Sequence, residues 1–278
     1  MLVIGVDYSG AKTDNNTWIS QGKFVKNDLI IETCETITRE NLTSTLGEFD
    51  SPTIASLDFP FSVPKQFCNF WCPGAKDMTD LWRAASKITL TDFLCFRDAF
   101  VKQHGETKRF GDTLYPECYS CLHKANPNLV PMTFYGMQML DQLNRTGCSI
   151  PPLTGDPITQ SVLLEAMPGA GLRAMGLPFK GYKNGRHAHE KREIILKRLA
   201  KSSGLRISNL DLFFDLGMRN HDALDSIVAL VIASLWAKDP TDFRCPPQDP
   251  PMDLQLTINL EGWLYAPVFL STLEQFHE

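Results

Sequence analysis

Five acidic side chains sit where an apolar chain ordinarily excludes charge. Asp7 closes the apolar run that begins at Leu2, and Asp58 closes the run that begins at Thr53. Glu165 interrupts Val162-Leu-Leu-Glu-Ala-Met, while Asp222 and Asp225 open a long apolar segment. Three residues apart on a helix, the last two share a face. A carboxylate beside a core is costly when unpaired. Two of them about 4 Å apart repel by roughly 4 kcal/mol at an effective dielectric of 20. Several acids share a site cheaply only where cations are present, and oxygen-rich clusters suit Mg²⁺ or Mn²⁺. Each acid also has a plainer reading. Asp7 and Asp58 can form turns, and Asp222 and Asp225 can favour a helix dipole behind an Asn220 cap. Glu165 can pair with a nearby Arg or Lys.

The elements that must position these acids are legible from patterning. Leu2 to Asp7, Thr17 to Phe24 and Leu29 to Cys34 read as strands, with a polar turn at Asn27-Asp28. Thr38 to Leu46 reads as a helix capped by Thr38, and Thr53 to Asp58 as a fourth strand. The order β-β-β-α-β predicts an α/β fold, a mixed sheet covered by helices. Residues 61–157 are helical in parts (Asp80 to Ser86, Leu90 to Gln103, Thr133 to Asn144) and read as an insertion between two halves of one sheet. A fifth strand covers Val162 to Met167, a basic helix Ala188 to Ser202, and an apolar helix Asp222 to Ala237. The proline-dense stretch 239–251 is an irregular connection. Leu254-Gln-Leu-Thr-Ile-Asn-Leu260 alternates with a period of two and predicts a final strand in a C-terminal extension over 239–278.

Composition excludes several classes. At 278 residues, with 43% hydrophobic and 21% charged side chains, the chain is globular rather than disordered or fibrous. Net charge is −5, so any nucleic-acid partner must be held by a local patch or by cations. One such patch follows Glu165: Arg173, Lys180, Lys183, Arg186, His187, His189, Lys191 and Arg192. Its plain reading is a solvated helix face. The start lacks a signal-peptide core, and the longest apolar stretch, Ile227 to Ala237, is too short for a bilayer. Eight cysteines are too sparse for a disulfide scaffold. The expectation is a cytoplasmic protein with reduced thiols.

Other constellations in the chain admit more than one chemistry. Gly169-Ala-Gly-Leu-Arg-Ala174 has the spacing of a dinucleotide loop, but Gly176 and Pro178 end any helix within about a turn. Cys68, Cys72, Cys118 and Cys121 could build a tetrahedral zinc site, or could be buried thiols. The histidines and Ser9 have no triad pattern.

Gly5-Val-Asp-Tyr-Ser-Gly10, Leu57-Asp-Phe-Pro60, Leu164-Glu-Ala-Met-Pro168, Gly181-Tyr-Lys183, His221-Asp-Ala-Leu-Asp225 and Glu261-Gly-Trp263 occur in one order. That series resembles the "domain of unknown function 429" family, predicted nucleases of the RNase H fold. The resemblance implies an RNase H-like five-stranded sheet and a divalent-metal-dependent nuclease acting on DNA or RNA. It implies two metal ions, with Asp7 bridging them, Asp58 binding one, and Asp222 and Asp225 matching the late Asp-x-x-Asp of Holliday junction resolvases. Glu165 belongs to the narrower family's pattern of catalytic acids. Lys180, Lys183, Arg186 and Arg192 would then contact nucleic acid, and resolvase activity would require a homodimer. Gly5 to Lys12 is also similar to the first phosphate loop of sugar kinases and actin, which keeps a phosphotransferase as an alternative. A non-catalytic binding module of the same fold is another.

Overall fold

The computed structural model describes residues 1–48, 51–153 and 161–268. Six strands form one mixed sheet in the order β5-β4-β1-β2-β3-β6. They are β1 Leu2–Asp7, β2 Thr17–Val25, β3 Asp28–Ile37, β4 Thr53–Asp58, β5 Val162–Glu165 and β6 Arg206–Ser208. β1, β2 and β3 make an antiparallel meander, and β4 and β5 add in parallel on the other side of β1. The sixth strand corrects the expected five. It pairs only three residues with β3, and its half-exposed Arg-Ile-Ser carries no apolar run that would announce it.

The helices are α1 Arg39–Gly47, α2 Lys65–Trp71, α3 Met78–Ala85, α4 Leu90–His104, α5 Phe110–Thr113, α6 Leu129–Leu143, α7 Pro168–Ala174, α8 Ala188–Ser203, α9 Phe214–Arg219, α10 His221–Lys238 and α11 Met252–Glu261. Thr38 caps α1 as its sequence predicts, its side chain accepting from the Asn41 N–H. The last helix is a correction. The alternating segment 254–260 is helical, started by Pro251 and stopped by Gly262 at φ +73°. Leu254 and Ile258 are also spaced i, i+4, and the helix packs against α2, α3 and α5 rather than joining the sheet.

Strand side chains alternate between faces, and the sheet therefore separates two cores. Ile4, Val6, Ala55, Leu57 and Leu163 face one core with Phe67, Trp82, Phe93 and Phe134. The helices of the 61–153 segment thus cover a face of the sheet and share its core. Val3, Ile54 and Leu164 face the other core with Ile227, Val228 and Val231 of α10. Among the described residues, no helix is long and apolar enough to cross a membrane.

α10 lies directly on β1, and Gly5 makes that approach possible. A Cβ there would sit 2.0 Å from the Leu230 nitrogen and 2.2 Å from the Ser226 carbonyl oxygen. Both are backbone atoms of a packed helix, so no side chain can yield. Gly5→Ala is expected to cost about 3 kcal/mol or more, the upper range for overpacking, measured by urea unfolding. A variant as stable as the parent would contradict this packing.

Candidate metal centre

Register brings two of the acids together. β1 and β4 run parallel with Asp7 opposite Asp58, so the two side chains leave the sheet on the same face. Parity from Val3 and Ile54 makes this the α10 face. There the first turns of α10 present Asp225, which is fully buried. The Asn220 side chain caps that helix, accepting from the N–H groups of Asp222 and Ala223. Asp7, Asp58 and Asp225 each offer an oxygen, and all lie within 4.8 Å of one another. Ser20 and Ser226 join β2 to α10 beneath them through a 2.7 Å hydrogen bond.

The electrostatics of the three are strained. Burial, reinforced by the charge of Asp225, holds the Asp7 carboxyl well above its usual range. Burial pushes Asp58 up to about 7, with Lys183 opposing and Asp225 adding. The Asp7 and Asp58 carboxyls also lie in hydrogen-bonding reach, which two carboxylates can use only by sharing a proton. Lys183 meets the remaining charge: its Nζ lies 2.6 Å from Asp225 Oδ2, while the Tyr182 hydroxyl donates to Asp225 Oδ1 at 2.7 Å. Asp225 in turn holds the Lys183 ammonium well above its ordinary pKa.

No family model, curated protein or solved structure matches this chain. The chemistry is therefore read from the site itself. Three hard carboxylate oxygens at this spacing fit a Mg²⁺ or Mn²⁺ ion. A cleft of about 230 Å³ opens at Asp58, lined also by Lys183, Arg109, Asp112, Glu117 and Glu165. Roomier hollows of about 410 and 420 Å³ lie over α1 and include none of the three acids.

Two expected acids are not among the three that meet, although Glu165 lines the cleft with Asp58 and its charge reaches that carboxyl. Glu165 is opposite Leu57 in the β4–β5 register, so its side chain leaves the sheet on the face away from α10. There Arg109 grips it through both terminal nitrogens, Nη1 to Oε2 at 2.8 Å and Nη2 to Oε1. The same guanidinium binds Asp112 through Nε at 3.0 Å and Nη2 at 2.7 Å. Glu165 Oε2 also accepts from the Phe61 N–H at 2.9 Å. All three charged groups are buried, so Glu165 is part of a clamp joining β5, α5 and the chain after β4. Asp222 lies outside the triad, its Oδ1 2.6 Å from His221 Nδ1, although its charge still reaches Asp7.

The basic run also divides. Arg192 braces the backbone: its Nε donates to the Met218 carbonyl at 2.9 Å and its Nη1 to the Tyr182 carbonyl at 2.7 Å. Lys183 pairs with Asp225 of the triad. Lys180 and Arg186 remain exposed at the surface. Among the described residues the four cysteines do not form a metal-binding group. Cys68 and Cys121 are buried thiols whose pKa burial raises, and Cys118 contacts the Met167 sulfur at 3.3 Å. The residues that sequence reasoning missed are Tyr182 and Arg109. The Gly181-Tyr-Lys183 segment was visible, but nothing in it announces a partner for Asp225.

The raised Asp58 pKa sets a pH dependence. Folded, the group keeps a proton up to about pH 7; unfolded, it loses it near pH 4. Between those limits the folded state binds more protons, so stability falls as pH rises. Relative to Asp58→Asn, metal-free protein should lose on the order of 3 kcal/mol between pH 4 and pH 8. Thermal unfolding across that range checks this, and equal slopes for the two proteins would refute it. Mn²⁺ affinity should rise over the same interval, because the ligand form is deprotonated.

Proposed function

We propose that this chain is an RNase H-like, divalent-metal-dependent nuclease that hydrolyses phosphodiester bonds of DNA or RNA. The observation that carries the reading is the convergence of Asp7, Asp58 and Asp225 on one face of the sheet beside an open cleft. The strand arrangement supports the fold: a three-stranded meander with β4 and β5 parallel to β1 beyond it.

Asp7, Asp58 and Asp225 would hold the ion. The chemistry such an ion would supply there is a lowered pKa for a coordinated water and stabilisation of the departing oxygen of an in-line displacement. The chain's own contribution is positional. β1 and β4 fix two carboxylates by register, α10 fixes the third, and the cleft seats the sugar-phosphate chain against Asp58. Exposed Lys180 and Arg186 lie on the same run as Lys183 and supply phosphate contacts, which makes binding salt-dependent. Asp222, whose charge reaches Asp7, would help hold the second ion that the resemblance implies. The late Asp-x-x-Asp favours branched DNA among the substrates.

The test is cleavage of labelled single-stranded, duplex and four-way-junction DNA and RNA with Mn²⁺, with EDTA, and with Asp7→Asn protein. Cleavage that requires metal and falls at least about 10² to 10³-fold in the variant is expected, as for loss of one group stabilising a transition state. Cleavage indifferent to EDTA would overturn the reading. No cleavage of any substrate would leave a non-catalytic binding module of the same fold.

A further inference from the structure

We propose that Lys183 is an exchangeable counter-cation, neutralising Asp225 in the metal-free protein and moving to a substrate phosphate when a divalent ion enters the triad. The inference rests on the metal-site reading above and adds to it a route by which metal and substrate binding are coupled.

Asp225 is fully buried; its Oδ1 accepts from the Tyr182 hydroxyl, and its Oδ2, which accepts no hydrogen bond among the described residues, is met by the charge of Lys183 at 2.6 Å. An ion that takes Asp225 as a ligand must displace one of these partners. Tyr182 is the poor candidate. It is buried at 2% exposure, and its carbonyl is held by the Arg192 guanidinium at 2.7 Å. Lys183 is the good one. Its side chain is 46% exposed, and its ammonium sits on a flexible four-carbon stem. The Lys183 carbonyl also accepts from Arg192, at 3.3 Å, so the backbone stays braced while the side chain turns.

The destination is adjacent. Lys183 lines the cleft together with Asp58, so a rotamer change carries the ammonium from Asp225 into the space beside the acids. A divalent ion repels an ammonium at close range, and a phosphate oxygen there offers it a charge-assisted hydrogen bond. Each event favours the other. Metal entry frees the lysine for phosphate, and phosphate draws the lysine off the metal ligand, as binding linkage requires.

Amine acylation of the full chain, read by mass spectrometry at each lysine, tests the exchange. Without divalent ion, Lys183 should react slowly. With saturating Mn²⁺ its rate should rise about fivefold or more, while Lys197 and Lys201 on α8 stay constant as internal references. Asp225→Asn should make Lys183 reactive without any metal. Calorimetry supplies the second readout: Lys183→Met should bind Mn²⁺ about tenfold more tightly than the parent, because the competing cation is gone. Parent protein that binds Mn²⁺ with unchanged Lys183 reactivity, or a Lys183→Met affinity equal to or weaker than the parent's, would overturn the exchange alone. No Mn²⁺ binding by either protein would overturn the exchange and the metal centre together.

Discussion

Asp7→Asn should abolish Mn²⁺ binding and metal-dependent cleavage, yet raise the melting temperature of the metal-free protein. Both effects follow from one geometry. Asp7 faces Asp58 across the β1–β4 pair and lies within 4.8 Å of Asp58 and Asp225 at its ligating oxygen. Its charged form suffers burial and three like-charged neighbours, Asp225, Asp58 and Asp222. An amide of the same shape needs neither a buried charge nor a proton taken up on folding, and it donates a hydrogen bond to Asp58. Relief of about 1–2 kcal/mol is expected, a rise of roughly 2–6 °C for a chain of this size. A site kept unstable without its ion is a trade of stability for function. A variant less stable than the parent and still able to bind Mn²⁺ would show that the acids are structural.

Arg109→Met should have the opposite signature, a large loss of stability. The guanidinium is the common partner of Glu165 and Asp112, each 2–3% exposed. Removing it leaves two buried carboxylates without their cation, which typically costs about 3–5 kcal/mol. Chemical denaturation measures this. The Arg109→Met/Glu165→Gln double variant should recover part of the loss, since one of the stranded charges is gone. Glu165→Gln alone should leave Mn²⁺ affinity within about twofold of the parent. If it instead abolished metal binding, Glu165 would belong with the triad rather than with the clamp.

The contrast between Asp7 and Glu165 shows which parts of the site can be read without coordinates. Both acids end or interrupt apolar strands, and both attract notice for the same reason. Which face each occupies depends on register: Asp7 aligns with Asp58, whereas Glu165 aligns with Leu57. A strand sequence carries its own alternation but not its neighbour's phase, and a one-residue offset sends a side chain to the other face. The four opening strands and α10 were legible because their apolar runs are long and bounded by turns. β6 was not, since three half-exposed residues make no pattern. The 254–260 alternation misleads because a short run can satisfy both periods, and Pro251 and Gly262 decide for a helix.

The basic run fails for a related reason. A count of cations cannot say which are already engaged, and here Arg192 binds carbonyls while Lys183 binds Asp225. The same holds for Asp222 and Asp225. Helical spacing places both near the site, but only Asp225 joins the acids that meet, while Asp222 lies against His221.

The most direct test of the metal centre is anomalous diffraction from crystals soaked in Mn²⁺. A peak between Asp7, Asp58 and Asp225, with the Lys183 ammonium withdrawn from Asp225, is the predicted result. Density without an anomalous peak, with Lys183 still bound to Asp225 at a saturating Mn²⁺ concentration, would contradict it.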